Sequence, residues 1–183
     1  MHIFARNANV NVMRRRFCAD GVMHIYQRTI SGFNLFYSVE DFLVFYTIVS
    51  VHARRRSICL LGLCLMIDHI HTLTSTSSCK TFSKFMSNVA IQFVKEYNRY
   101  HNRVGPLFSE CFGSAPKAGL KLLRTAIAYL FNNPVERLLC KRPQEYRWNF
   151  LAYAASDNPF SDPLVLKKAS RRLRRALKEV DGA

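Results

Sequence analysis

A chain of 183 residues with 49% apolar side chains can bury a hydrophobic core, which excludes general disorder and fits one domain with extensions. Its formal net charge of +15 points to a polyanionic partner, either nucleic acid or an anionic membrane surface. No apolar stretch reaches the roughly 18 to 20 residues that span a bilayer, and the arginine-bearing N-terminus lacks the apolar segment of a secretory signal, so a soluble intracellular protein is expected.

Residues 1–21 read as an N-terminal extension in which Arg14, Arg15 and Arg16 are candidate phosphate contacts. Val22 to Ile30 has strand-type composition and runs into the turn signal Ser31-Gly32. Ser38 followed by Asp41 makes a capping-box pattern, predicting a helix from Val39 to His52 with Phe42, Phe45, Tyr46 and Val49 on its apolar face. Arg54-Arg55-Arg56 closes it, where cations suit the helix dipole. Ile58 to Ile67, an apolar run broken only by Gly62, reads as a buried strand that pairs with the next segment in an antiparallel hairpin turning near Asp68. A longer helix is expected from Lys80 to His101, where Phe82, Phe85, Val89, Phe93 and Tyr97 recur at three- and four-residue spacing. Gly105-Pro106 breaks that pattern, and LFSECF reads as a short extended or irregular piece. Helix resumes from Ala118 to Asn132 and stops at Asn132-Asn133-Pro134, with a further short helix around Val135 to Cys140. This order implies an α+β fold over residues 22–155, with helices packed on an antiparallel ferredoxin-like (RRM-like) sheet.

Residues 156–183 form a basic tail. Between Leu164 and Lys178 a sparse apolar face is surrounded by Lys167, Lys168, Arg171, Arg172, Arg174 and Arg175. Such a helix suits phosphates, a membrane surface or plain solvent. The six cysteines (Cys18, Cys59, Cys64, Cys79, Cys111 and Cys140) include no Cys-x-x-Cys pair, and buried free thiols are expected in place of zinc ligands or disulfides.

The chemistry centres on His69-Ile70-His71. On a strand, side chains two apart share a face, so two imidazoles would stand side by side as arms of a metal site. Alone, His-x-His is more often an ordinary pair of sheet residues. Tyr129 and Asn133, one helical turn apart, can add a phenol and an amide oxygen. Two imidazoles and an amide oxygen with open positions suit Mg²⁺ or Mn²⁺, the nitrogens favouring Mn²⁺. His24 reads as a sheet residue, Tyr97 and Tyr100 as structural or DNA-facing, and Tyr146 and Trp148 as packed against the sheet.

Five stretches resemble the single-tyrosine HUH transposases, especially the REP-associated tyrosine transposases and their insertion-sequence relatives: HIYQRTISGFNLFYSVEDF, LCLMIDHIHTL, FVKEYNRYHNRVGPLFSECF, YLFNNPVERLL and EYRW. They occur in the family's order and cover about Val22 to Trp148. The resemblance implies a ferredoxin-like sheet with the histidines on a central strand. It also implies His69, His71 and Asn133 as metal ligands and Tyr129 as nucleophile. Asp68 stands where relatives commonly carry Asn; its carboxylate either alters metal affinity or makes the turn.

The implied reaction is attack of Tyr129 on a DNA phosphorus, giving a 5′-phosphotyrosine and a free 3′-OH that a later strand end can use to reverse the step. The implied substrate is single-stranded DNA recognised through a small hairpin, in a bacterial-type cytoplasm near the nucleoid. A homodimer, with the active site formed within or between subunits, stays open. Two other readings compete: a catalytically silent nucleic-acid-binding or regulatory protein on the same fold, and surface attachment to anionic membranes through the 164–178 helix, although stable membrane association is not expected.

Overall fold

A computed structural model describes residues 21–30, 33–154, 171 and 175. The elements follow the order β1 (Val22–Arg28), α1 (Val39–Arg55), β2 (Cys59–Leu65), β3 (His69–Ser75), α2 (Cys79–Tyr100), β4 (Gly113–Lys117) and α3 (Leu120–Glu136). Two single-turn 3₁₀ segments, Pro143–Glu145 and Phe150–Tyr153, come after them. The sheet order is β2-β3-β1-β4 with every neighbouring pair antiparallel, the ferredoxin-like arrangement expected from the sequence.

Alternation along the strands divides the molecule into two layers of core. One face of the sheet presents Met23, Ile25, Leu63, Leu65 and Ile70 to α1 and α2, where Phe45, Phe85 and Phe93 are almost wholly buried. The opposite face carries a much smaller cluster, in which Cys64, Met66 and Leu73 meet Ala126 and Leu130 of α3. Helix α1 starts at the predicted capping box: the Asp41 N–H donates to Ser38 Oγ (3.2 Å), and the Ser38 N–H donates to Asp41 Oδ2 (3.0 Å). Helix α2 is capped by Ser78, whose Oγ accepts from the Thr81 N–H (3.2 Å).

The β2–β3 hairpin turns through Ile67 and Asp68 and is closed by the Met66 N–H on His69 O (2.8 Å). Two-residue hairpins usually rely on positive φ, often at glycine, yet neither Ile67 nor Asp68 takes one. Outside donors hold the turn. Leu35 N–H reaches Ile67 O (2.6 Å) and Thr29 N–H reaches Asp68 O (3.1 Å), while the Thr29 hydroxyl donates to Phe33 O (2.5 Å) with Asp68 O also within 3.1 Å.

One strand goes unread in the sequence, and two expectations require correction. The stretch GSAPK forms β4, which composition conceals because it lacks β-branched and aromatic residues; as an edge strand it tolerates Pro116. A Cβ at Gly113 would meet the end of the Tyr26 ring lying across it, so a larger residue there requires that exposed ring to turn away. Helix α3 does not stop before Pro134 but runs through it to Glu136, and no separate helix spans Val135 to Cys140. Proline deletes one ladder donor, that to Leu130 O. The last turn survives because Arg137 N–H bonds Asn133 O (3.1 Å) and Leu139 N–H bonds Pro134 O (2.9 Å). Finally, Cys59, Cys79 and Cys111 are exposed, and Cys64 is the buried thiol among the described cysteines. Burial pushes the Cys64 thiol up to about 12.

Candidate active site

Strand β3 lies inside the sheet and turns its two histidines toward the α3 face. His69 and His71 have ring centroids 4.9 Å apart with planes at 84°. Both are buried, at 3% and 5% exposure. The register sets Arg28 opposite His69 and Tyr26 opposite His71 on β1. One step further along β1, His24 leans diagonally onto His71. The rings stack at 5.2 Å and 23°, and His24 Nε2 lies 3.1 Å from His71 Nδ1. His24 is therefore a sheet residue, as expected, and also a direct neighbour of the histidine pair.

Helix α3 brings the second half of the site. The Tyr129 ring stands edge-on to His71 (5.4 Å, 79°) and to His24 (5.8 Å, 78°) within one chain. It remains 43% exposed. One turn later Asn133 is 5% exposed. Its Nδ2 donates to Tyr129 O (2.8 Å), and its side chain lies near enough to the His71 ring to act on that ring's pKa. With Nδ2 committed to the helix backbone, Oδ1 is the acceptor left for the site.

Burial, followed by the charges of His69, His24 and Arg28, lowers His71 to about 3, against an opposing pull from Asn133. Burial and then Lys117 lower His24 to about 4. Both rings are neutral at pH 7, the form that ligates metal ions. Asp68 Oδ1 sits 2.6 Å from His69 Nδ1. Burial raises the Asp68 carboxyl, but the hydrogen bond and charge of His69 outweigh it, and the net shift is downward.

The donor set fits a hard or borderline divalent ion. Among the described residues no group of three His, Cys, Asp or Glu side chains converges, and Asn133 is the polar side chain of α3 buried beside the imidazoles. Asn133 lies near enough to the His71 ring to act on its pKa, so the amide and the imidazole pair occupy the same neighbourhood.

Other expected residues fall elsewhere. Tyr97 is buried in the core on the opposite face, where burial and then Asp41 push its hydroxyl up. Trp148 stacks on Phe42 (4.2 Å, 3°), and the Tyr146 hydroxyl donates to Leu65 O (2.7 Å), so both pack as expected. Arg14, Arg15, Arg16, Lys167, Lys168, Arg172 and Arg174 lie outside the described residues; Arg171 and Arg175 are helical and exposed. Sequence reasoning passed over Arg28 and Arg137, which with Thr29, Asp68 and Ser109 line a cleft of about 670 Å³ beside the hairpin turn. Strand register places Arg28 and the end of α3 places Arg137, and nothing local distinguishes either arginine.

A solved structure of a REP-associated tyrosine transposase bound to a REP hairpin superposes with a TM-score of 0.66, covering 80% of this chain and 86% of that one. The two chains share a fold. Sequence identity over the match is 14%, so the transposase likeness is one of architecture. No protein-family model matches the chain, and no curated protein does. Among the described residues, no helix of this transposase-like fold is long and apolar enough to cross a membrane.

Proposed function

We propose that the protein is a divalent-metal-dependent single-stranded DNA endonuclease and strand transferase that cleaves at or near hairpins through Tyr129. The observation that carries this reading is the convergence, in one chain, of the Tyr129 phenol, the Asn133 carboxamide and the imidazoles of β3. The transposase of the same fold was solved with a hairpin bound, which supports DNA as the partner class. The net charge of +15 agrees with it.

His69, His71 and Asn133 would hold Mg²⁺ or Mn²⁺, which when bound supplies charge withdrawal from a non-bridging phosphate oxygen. Tyr129, accessible at the surface of the same site, attacks the phosphorus in line. The bond to the 3′-oxygen breaks, and a 5′-phosphotyrosine forms beside a free 3′-OH. No water enters, so the phosphodiester's bond energy is retained and the incoming 3′-OH of another strand can displace the tyrosine. Arg28 and Arg137, in the cleft next to His69, are placed to hold the flanking phosphates of the unpaired strand.

The test uses hairpins drawn from repeats flanking the encoding gene, labelled on the 3′ side of the cleavage point. Wild type with Mn²⁺ or Mg²⁺ is expected to give a covalent protein–DNA adduct that EDTA prevents and Tyr129→Phe abolishes. Adducts that persist in Tyr129→Phe would reject Tyr129 as the nucleophile. Hairpin binding without cleavage by wild type, unchanged in a His69→Ala, His71→Ala double variant, would make the protein a silent binder.

A further inference from the structure

The two imidazoles of β3 are each engaged at the same atom by different partners. His69 Nδ1 meets Asp68 Oδ1 at 2.6 Å, and His71 Nδ1 meets His24 Nε2 at 3.1 Å. Neither partner is accidental in its placement. Asp68 is pinned through its carbonyl by the N–H of Thr29, the residue that follows β1, and His24 is stacked on His71 within the sheet. A carboxylate only accepts, so His69 must carry its proton on Nδ1. Between two neutral imidazoles one donates and one accepts, and the direction decides whether His71 Nε2 keeps a lone pair.

We infer that Asp68 and His24 are positioning residues that hold His69 and His71 in the Nδ1–H form, so that both Nε2 lone pairs face the site and are available to a divalent cation. His24 then accepts at Nε2 and carries its own proton on Nδ1. The pairing is asymmetric: the carboxylate makes His69 the more electron-rich ligand, while the imidazole partner leaves His71 weaker. This rests on the metal-site reading above for its purpose, but the tautomers are properties of the metal-free protein.

Two measurements decide it. Long-range ¹H–¹⁵N correlation spectra of the metal-free protein near neutral pH report which ring nitrogen of each histidine is protonated. The expectation is Nδ1–H at His69 and His71. Asp68→Ala should return His69 toward Nε2–H, and His24→Phe should do the same for His71. Mn²⁺ affinity, followed from the EPR signal of the free ion, should weaken about 10- to 100-fold in each of these variants. Asp68→Asn and His24→Gln keep an acceptor oxygen and should recover most of that loss, which a purely structural role would not produce. Should His24→Phe fail to fold, His24→Gln and the wild-type spectrum still decide the His71 half. Nε2–H at either β3 histidine of wild type, or variants with unaltered tautomers, overturns the inference. Because no DNA is present, absence of a Tyr129 adduct would not change this result; conversely, adduct formation with the wrong tautomers would leave the reaction standing and remove this role.

Discussion

Leu130→Ala tests how the site is held together. Helix α3 carries both Tyr129 and Asn133, yet its buried apolar anchorage is slight: Ala126, Leu130 and Pro134 are its buried apolar residues. Leu130 is wholly buried against Cys64, Met66 and Leu73, and its Cδ2 lies 3.6 Å from where a Cβ on Gly62 would stand. Truncation removes three carbons, about 2.4 kcal/mol of transfer free energy at roughly 0.8 per buried methylene, and a void adds to that. A total of about 3 kcal/mol is expected, the lower part of the Leu→Ala range, because a cluster this close to the surface can relax. The larger core between the sheet and α1 and α2 does not include Leu130. The loss should therefore appear as local undocking of α3 ahead of global unfolding.

Amide hydrogen exchange across Leu120–Glu136 should speed up by about 100-fold, as roughly 3 kcal/mol requires. Urea unfolding followed by Trp148, the single tryptophan and one stacked on Phe42 of α1, should shift much less. Adduct formation should fall by about 100-fold, because an ångström of misplacement in the attacking group has that order of effect. Equal shifts of the α3 amides and the Trp148 transition would refute the reasoning, since they would show that the two core clusters unfold as one unit.

Ser38→Ala removes the cap of α1 and should cost about 1 kcal/mol, lowering Tm by about 2–4 °C in calorimetry; an unchanged Tm would mean that Asp41 alone holds the first turn. His24 and His71 have folded values near 4 and 3, below the ordinary 6.5, so the unfolded chain binds protons that the folded chain refuses. Stability of the metal-free protein should accordingly be full above pH 6.5 and fall as pH drops from there toward 4, by up to about 5 kcal/mol near pH 4.5 if the two rings act independently. Urea midpoints across that range measure it, His24→Gln should flatten the slope by about half, and a flat wild-type profile would contradict the buried neutral pair.

Much of the fold was legible because it is written in short-range patterns. Ser38 and Asp41 encode a cap, the phenylalanines of α2 repeat at helical spacing, and Ile58 to Ile67 is too apolar to be anything but strand or buried helix. The histidine pair was legible for the same reason, since a two-residue period places both on one face whatever the sheet order. Failures cluster where local chemistry and context disagree. GSAPK has no strand character of its own and becomes β4 because β1 offers an unpaired edge. Pro134 normally ends a helix, but here the carbonyls beyond it find donors in the next turn.

By itself, then, the sequence determined which residue types stand at which spacing: two imidazoles on a strand face, a phenol and a carboxamide on a helix face, and an excess of positive charge. Only the tertiary structure decided that these faces meet, because α3 reaches β3 through a handful of contacts separated by some sixty residues that no local period encodes. It also decided that His24 and Asp68 touch the inner nitrogens of the pair. One contact depends on strand register and the other on a turn held by donors from Thr29 and Leu35, and neither leaves a mark on the order of residues along the chain.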